Sequence, residues 1–396
     1  MISKKLFSIM FNIIKLNEKD NIGVAPMSIP KNTEINFGVF TKDKIPFGHK
    51  ISLKEIKKGS YIYKYGQIIG KASNDISSGQ HVHSHNLIFS EFDRRYEVKT
   101  NNEVILEKKN LFFKGYKREN EKSGTRNYIG LISTVNCSAT VVKKIAENIN
   151  IYLLKNNFEN IDGAVCLKHS SGCGMNASGH GMQVFNRTIE GFKHHPNFGK
   201  VFVIGLGCEC AQISLYQNDS DKDKVEYLNI QDEGGTREII NNVTKKIINE
   251  MEDINSIKRT NIPISELTVA LQCGGSDSYS GITANPSLGF ASDLLIKYGG
   301  STILSETPEI YGAEHLLIER AINHEIVDKL IKQIEWWKHY TSINSGSLDN
   351  NPTPGNKKGG LTTILEKSLG AVAKSGTSTM MAVLDYSEQI SSKGFN

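Results

Sequence analysis

What the chain lacks narrows the field first. No run approaches the roughly 18 apolar residues that a membrane-spanning helix needs, so no transmembrane segment is expected. No two cysteines stand in a CxxC spacing, which removes the usual support for a tetrahedral zinc site. Gly172-Cys-Gly174 and Gly205-Leu-Gly207 look like pieces of phosphate-binding turns, but neither completes GxGxxG or the P-loop pattern, and a nucleotide cofactor is not expected. The lysines are scattered rather than gathered into a basic stripe and the net charge is only +5, so nucleic acid is not an expected partner. Internal repeats are absent. The opening Lys4–Ile14 stretch has the basic and apolar regions of a signal peptide but no small-residue cleavage site before Lys15, and reads as a non-exported extension or first strand. The six cysteines are then read as free thiols, ligands or small buried side chains, in a cytoplasmic protein.

What is present is a folded chain of 396 residues, 38% hydrophobic and 22% charged, too long for one ordinary core. Residues 1–90 contain short strand patterns (Asn21–Ala25, Lys50–Leu53, Tyr61–Tyr65, Gln67–Gly70) separated by Gly and Pro, which predicts a small β-rich module. A charged stretch, 91–122, reads as a linker. From Asn127 onward, strand patterns alternate with helical ones, for example Ala139–Leu154 and Arg237–Met251, which predicts mostly parallel, Rossmann-like α/β domains over 123–260 and 261–396.

The most informative stretch is Leu271–Gly289. An apolar strand pattern, Leu267–Leu271, ends there in a polar loop bearing Cys273, Ser276, Asp277, Ser280, Thr283 and Asn285, followed by a helical pattern. Ligands of open α/β sheets gather at the carboxyl ends of strands; the plainer reading is a Gly-rich turn with a capped helix. In the β-rich module, His81, His83 and His85 alternate with other residues, so an extended backbone would project all three imidazoles to one face. That suits a metal or proton-transfer site, with a solvated edge as the ordinary alternative. Cys137, Cys173, Cys208 and Cys273 each follow a strand candidate. If those strands share a sheet, their thiols converge and could hold iron or, as a second choice, an iron–sulfur cluster; small buried cysteines are the alternative. Arg118 and Arg126 precede the first α/β strand, where a guanidinium could hold a carboxylate or form a surface ion pair. Glu306, close after a strand, is the first choice for a ligand or acid/base, whereas Glu314 and His315 read as charging a helix opening. The loop Asn351–Thr363, with Asn356 and Lys357, could close over a polyhydroxylated anion.

In combination these motifs resemble the altronate and galactarate dehydratase family of sugar-acid hydro-lyases. The matching pieces are Gly79–Leu87, Gly115–Arg118 with Gly124–Asn127, His169–Gly174, Leu206–Glu209, Cys273–Asp277 with Ser280–Pro286, Ser305–His315, and Asn351–Asn356 with Gly360–Ser368. The resemblance implies an N-terminal β-clip domain of the SAF type, then α/β domains. It also implies a divalent metal, ferrous iron first and manganese second, and loss of water from an aldonic or aldaric acid to give a 2-keto-3-deoxy acid. Residue chemistry then suggests His85, His169 and Glu306 as catalytic groups and Arg126, Asn127, Ser276, Asn285, Asn356 and Lys357 as substrate contacts. His81, His83, Cys173, Cys208, Cys273 and Asp277 are the expected metal ligands. Family members continue past the match to Val383–Glu388, so the last domain is expected to be incomplete, and a complementing chain or a homo-oligomer is a possible partner. Two other readings stand beside this one: a lyase acting on a sulfonated hydroxy acid, and a non-catalytic sugar-acid-binding remnant.

Overall fold

The computed structural model describes residues 12–94, 96–99, 107, 111–118 and 122–396; most of the leader-like Lys4–Ile14 stretch lies outside them. The described residues fall into two compact units. One is drawn from Met1–Lys108, Thr268–Val383 and Ser392–Asn396, the other from Lys109–Leu267 and Leu384–Ser391.

The second unit is built on a parallel four-stranded sheet. Its strands are Tyr128–Ser133, Gly163–Leu167, Phe198–Gly205 and Val225–Asn229, with Tyr128–Ser133 between Gly163–Leu167 and Phe198–Gly205 and Val225–Asn229 at the edge. β-Branched and aromatic residues such as Ile129, Ile132, Val201, Phe202, Val203 and Ile204 are wholly buried, as expected of strands covered on both faces. Helices Ala139–Lys155 and Thr236–Asn249 supply Val142, Ile145, Ile149, Ile239, Val243 and Ile247 to one core. The expected strands and helices fall where the periodicity put them, and the chain is of the α/β class. The stretch read as a linker contributes a strand of its own, Phe112–Lys117, pairing antiparallel with Ser123–Gly124 and Thr260–Pro263. Its charged neighbours hide the aromatic content of Phe112, Phe113 and Tyr116.

The first unit joins the β-rich module to the last α/β segment. In the module, Ile22–Val24, Lys50–Ser52 and His81–Val82 form one antiparallel sheet, and Tyr61–Lys64, Gln67–Ala72 and Leu87–Ile88 another. The α/β segment has three parallel strands, Thr268–Leu271, Ser301–Leu304 and Gly394–Phe395, with Ser301–Leu304 in the centre. Module and segment share one hydrophobic core, in which Ile56, Ile62, Ile69 and Val82 meet Ile310, Leu317, Ile364 and Val372. Helix Ile364–Ala373 lies inside this unit, buried at every residue from Ile364 to Val372. Its first turn is fixed by Thr363, whose hydroxyl accepts from the Glu366 N–H and donates to the Ile69 carbonyl at 2.6 Å. Among the described residues no helix is long and apolar enough to cross a membrane.

A helix buried on all sides should be apolar, yet this one carries Glu366. The carboxylate is enclosed by Lys50 Nζ and Lys64 Nζ, each at 2.8 Å, and none of the three side chains is exposed. Thr362 donates its hydroxyl and backbone N–H to the same carboxylate, Lys50 also donates to the Gly360 carbonyl, and Lys64 donates to Ser278 Oγ. Burial pushes the Glu366 carboxyl up, and the two ammonium groups more than offset this, holding it down at about 2. Burial also lowers Lys50, to about 8, against the attraction of Glu366.

Glu366→Gln should therefore leave two buried ammonium groups without their counter-ion and cost about 3–5 kcal/mol in denaturant unfolding at neutral pH. Since the folded-state pKa is depressed, the wild-type advantage is fully present above the ordinary carboxylate value of about 4.3 and disappears as the pH falls toward the folded value. A variant whose stability matches wild type at pH 7 would refute this account.

Candidate functional site

In the first unit, strand Lys50–Ser52 pairs with His81–Val82, placing Ile51 opposite His81 and Lys50 opposite Val82. The extended arrangement expected for His81–His85 stops at Val82. Asn86 Oδ1 accepts from the His83 N–H at 2.9 Å and Asn86 Nδ2 donates to the His81 carbonyl at 2.9 Å, while the Asn86 and Leu87 N–H groups both donate to the His83 carbonyl. A side chain that satisfies two backbone groups at once makes a turn more favourable than a continued strand.

The imidazoles still gather. The His81 ring centroid lies 5.5 Å from that of His83 and 5.3 Å from that of His85. A fourth ring, His49, joins them at 4.8 Å from His83 and 5.1 Å from His81. His49 was not expected; the only signal for it was its place just ahead of a strand, and the sequence does not show which strand that one pairs with. Burial, followed by the neighbouring imidazoles, pushes His81 down to about 3. Burial and the Lys50 charge lower His83 to about 4, against the Lys357 carbonyl, which raises it. These two rings are neutral at pH 7.

The histidine cluster is tied to the Asn351–Thr363 loop. His49 Nε2 lies 3.0 Å from the Lys358 carbonyl, and His83 Nε2 lies 2.9 Å from the Lys357 carbonyl. Gly360, at φ 98°, allows the close approach: a Cβ there would run into the Gly48 carbonyl, and the left-handed backbone favours glycine. Asn356 fastens the loop from the other side. It forms a capping box with Thr353 and donates Nδ2 to the Ser276 carbonyl at 2.8 Å, so its amide positions the loop.

The polar loop after Thr268–Leu271 is partly the capped turn of the plainer reading. Asp277 Oδ1 accepts from the Tyr279 and Ser280 N–H groups, each at 2.8 Å, and Asn285 Nδ2 donates to the Gly370 carbonyl at 2.8 Å. Cys273 Sγ lies 3.0 Å from Ser276 Oγ. The Cys273 N–H donates to Glu306 Oε2 at 2.7 Å, and Lys374 Nζ stands 3.7 Å from the same oxygen. Glu306 has a left-handed backbone, φ 69°, a conformation that costs energy for a residue with a Cβ and is often met at functional sites. A small cleft beside these groups is lined by Tyr65, Ser276, Asp277, Ser280, Asn285 and Lys367. Glu314, by contrast, is buried with Arg94 and Tyr96, each within 2.9 Å, and serves packing.

The second unit carries its own cluster at the carboxyl ends of its parallel strands. Cys137, Cys173, Cys208 and Cys210 are all exposed there, and the Cys210 N–H donates to the Cys173 carbonyl at 3.0 Å. Gly172, at φ 97°, lets the cysteine loop pass against the Thr134 carbonyl, where a Cβ would collide. His169 has both ring nitrogens engaged, Nε2 with the Ser133 carbonyl at 2.7 Å and Nδ1 with the Ser171 N–H at 3.2 Å. Glu209, which the sequence did not single out, is almost fully buried and accepts from Thr134 Oγ1 at 2.7 Å and from the Leu206 and Gly207 N–H groups. Burial raises its carboxyl, and these donors outweigh burial and hold it below the ordinary range.

Three expectations are corrected. The four thiols do not follow strands of one sheet: Cys137, Cys173 and Cys208 follow the four-stranded sheet, whereas Cys273 follows Thr268–Leu271, which pairs with Ser301–Leu304 in the other unit. Arg126 and Asn127 stand before the first residue of their strand, at the amino end of a parallel sheet whose loops of chemical interest lie at the carboxyl end. Arg126 pairs with Asp162 at 3.6 Å, and Asn127 is buried, with Nδ2 on the Asn160 and Ile254 carbonyls. Arg118 is likewise structural, bonded to the Pro196 and Arg126 carbonyls. Among the described residues, no three His, Cys, Asp or Glu side chains already converge as a complete metal site.

Three family models match the chain in succession: altronate/galactarate dehydratase SAF domain over 11–90, D-galactarate dehydratase/altronate hydrolase second domain over 115–255, and D-galactarate/altronate dehydratase C-terminal over 264–396. The altronate dehydratase of Bacillus subtilis strain 168 is 38% identical over 97% of this chain and 78% of its own length. That of Escherichia coli strain K12 is 36% identical over 97% and 78%, respectively. The galactarate dehydratase (L-threo-forming) of Escherichia coli strain K12 is 33% identical over 96% of this chain and 75% of its own. With an N-terminal SAF domain, parallel α/β sheets and this run of relatives along nearly its whole length, the chain belongs to the altronate/galactarate dehydratase family and is a sugar-acid hydro-lyase.

Proposed function

We propose that this chain removes water from an aldonic or aldaric acid of the altronate or galactarate type, in the cytoplasm, to give a 2-keto-3-deoxy acid, with a divalent cation held at the histidine cluster of the first unit. The observation that carries the metal part is the cluster itself: four imidazoles with ring centroids about 5 Å apart, two of them held neutral well below pH 7. Neutral imidazole suits ferrous iron, and His81 and His83 would hold the ion. When bound, it would supply Lewis-acid stabilisation to oxygens that gain negative charge. The four exposed thiols of the second unit suit a reducing compartment.

The chemistry requires a base for the C2 proton, stabilisation of the enediolate that develops at the carboxylate, and an acid for the departing C3 hydroxyl. The resulting enol then takes a proton at C3 and becomes the 2-keto acid. Glu306 is assigned to proton transfer. Its Oε2 is fixed by the Cys273 N–H and Lys374, which leaves Oε1 to exchange a proton. His85, on the exposed side of the imidazole cluster, is the second proton carrier. Lys357, on the loop tied down by His83, supplies positive charge for the substrate carboxylate, and Ser276 and Asn285 are the candidate contacts for its hydroxyls.

Anaerobic assay of the purified chain with ferrous or manganous ion, on altronate, galactarate and a sulfonated hydroxy acid, tests the reading. A 2-keto-3-deoxy product from a sugar acid that disappears on chelation is expected. Sulfite from the sulfonated acid alone would replace the substrate assignment, and binding without turnover would replace the reaction. Glu306→Gln should lower kcat by about 10²–10⁴-fold, the usual contribution of a positioned acid or base, without moving the unfolding midpoint. Retention of wild-type kcat would remove Glu306 from the chemistry.

A further inference from the structure

Among the described residues five lysines are buried: Lys50, Lys64, Lys193, Lys367 and Lys374. Four of them have their ammonium groups filled. Lys50 donates to the Gly360 carbonyl and Glu366, Lys64 to Ser278 and Glu366, Lys193 to Glu190 and the Tyr216 carbonyl, and Lys367 to Glu309 and Asn351, all within 3.0 Å. Lys374 differs. It is 3% exposed, yet its Nζ makes no hydrogen bond to any described residue. Its one ion-pair partner among them is Glu306 Oε2 at 3.7 Å, too far for a hydrogen bond. An ammonium has three donors, and leaving all of them unfilled where water is nearly excluded is unfavourable, so the arrangement requires a cause. Part of it is local. Lys374 is the C-cap of helix Ile364–Ala373, where the negative end of the helix dipole favours a cation. That accounts for a charge at this position but fills none of its donors. Near its other end the same helix carries Glu366, whose carboxylate receives four.

The unfilled donors stand beside a group that solvent reaches. Glu306 has a side chain 24% exposed, and its Oε2 is held by the Cys273 N–H at 2.7 Å. A ligand that reaches this carboxylate stands next to an ammonium with its donors free. Resting on the reading that Glu306 transfers the proton in sugar-acid dehydration, we propose that Lys374 is a further catalytic residue of that site, whose ammonium binds the substrate carboxylate oxygen on which charge accumulates. Glu306 takes the proton from C2. The C–H electron pair becomes the π bond between C1 and C2, and the C1–O π pair moves onto the oxygen at Lys374. As the C3–O bond breaks, that pair returns to C1–O, the C1–C2 π pair becomes the C2–C3 bond, and the departing oxygen takes a proton and leaves as water. Lys374 gives up no proton at any stage. The C2 hydrogen and the carboxylate are on neighbouring carbons, so base and cation must stand side by side, as Glu306 and Lys374 do. A contact that strengthens as the oxygen gains charge lowers the barrier more than it tightens substrate binding.

Lys374→Met replaces the ammonium with an apolar chain of similar length, and Lys374→Arg keeps the charge. Both full-length variants are compared with wild type in the ligand-free unfolding midpoint and in kcat and KM on the sugar acid that wild type dehydrates. Because the donors are unfilled in the free protein, Lys374→Met should unfold at or above the wild-type midpoint. Its kcat should fall about 10²–10³-fold, the loss seen when a donor to a developing oxyanion is removed, with KM changed far less. Lys374→Arg should recover part of that kcat. A lowered midpoint or a failure to fold in Lys374→Met makes the ammonium a structural counter-ion and overturns the proposal. So does a wild-type kcat, or a raised KM with kcat unchanged, which marks a group that binds substrate and transition state alike. Wild-type kcat in Glu306→Gln with the expected loss in Lys374→Met removes the base and leaves the cation. If wild type dehydrates no sugar acid, the reading and the proposal fall together.

Discussion

The buried Lys50–Glu366–Lys64 cluster is the constraint on which the first unit depends. Removing three charges from water is unfavourable unless each is paired and its remaining hydrogen-bonding capacity is filled. Here the carboxylate receives two ammonium groups, a hydroxyl and a backbone N–H, and the ammonium groups reach a carbonyl and a serine besides. Few alternative packings meet that requirement, so the cluster specifies one arrangement more than it adds to stability. It fixes two strands of the module, Lys50–Ser52 and Tyr61–Lys64, against helix Ile364–Ala373. His49 is adjacent to Lys50 in the chain, and Val82 faces Lys50 across the sheet. The ion cluster therefore sets where the imidazoles stand, and through Gly360 and Thr362 it sets where the overlying loop ends.

Much of the architecture was legible in the sequence because it rests on local pattern. Parallel strands such as Phe198–Gly205 announce themselves as short apolar, β-branched runs ending in glycine, and helix Ala139–Lys155 by its spacing of Val142, Ile145 and Ile149. Strand Phe112–Lys117 was hidden because one of its two pairing partners, Thr260–Pro263, lies more than a hundred residues away and charged residues flank its aromatic ones. Sheet register across such distances has no local signature.

The site was legible in composition and less so in geometry. That three histidines two apart would gather was readable; that Asn86 would turn the chain at His83 was not, since it depends on one amide meeting two backbone groups. Arg126 and Asn127 were drawn in by chemistry and by nearness to a strand, but strand direction places them at the amino end of the sheet. His49 shows the converse: an unremarked residue brought into the cluster by antiparallel pairing. Asn356 and Asp277, chosen for their polar groups, spend much of that capacity on the loops that carry them.

A deeper feature unites the ion cluster and the imidazoles. Two lysines share one glutamate, so the neighbourhood of the histidines retains a net positive charge, and Lys50 contributes to the lowering of His49, His81 and His83. A positive field disfavours further protons on the rings and therefore keeps their lone pairs available. The same field favours an anion, and a sugar acid brings a carboxylate. The positive field that keeps the imidazoles neutral and the charge of Lys357 thus act in one place, and both favour an anion. A glutamine in place of Glu366 would disturb both, since it would raise the positive potential at the rings and release the strand that His49 precedes.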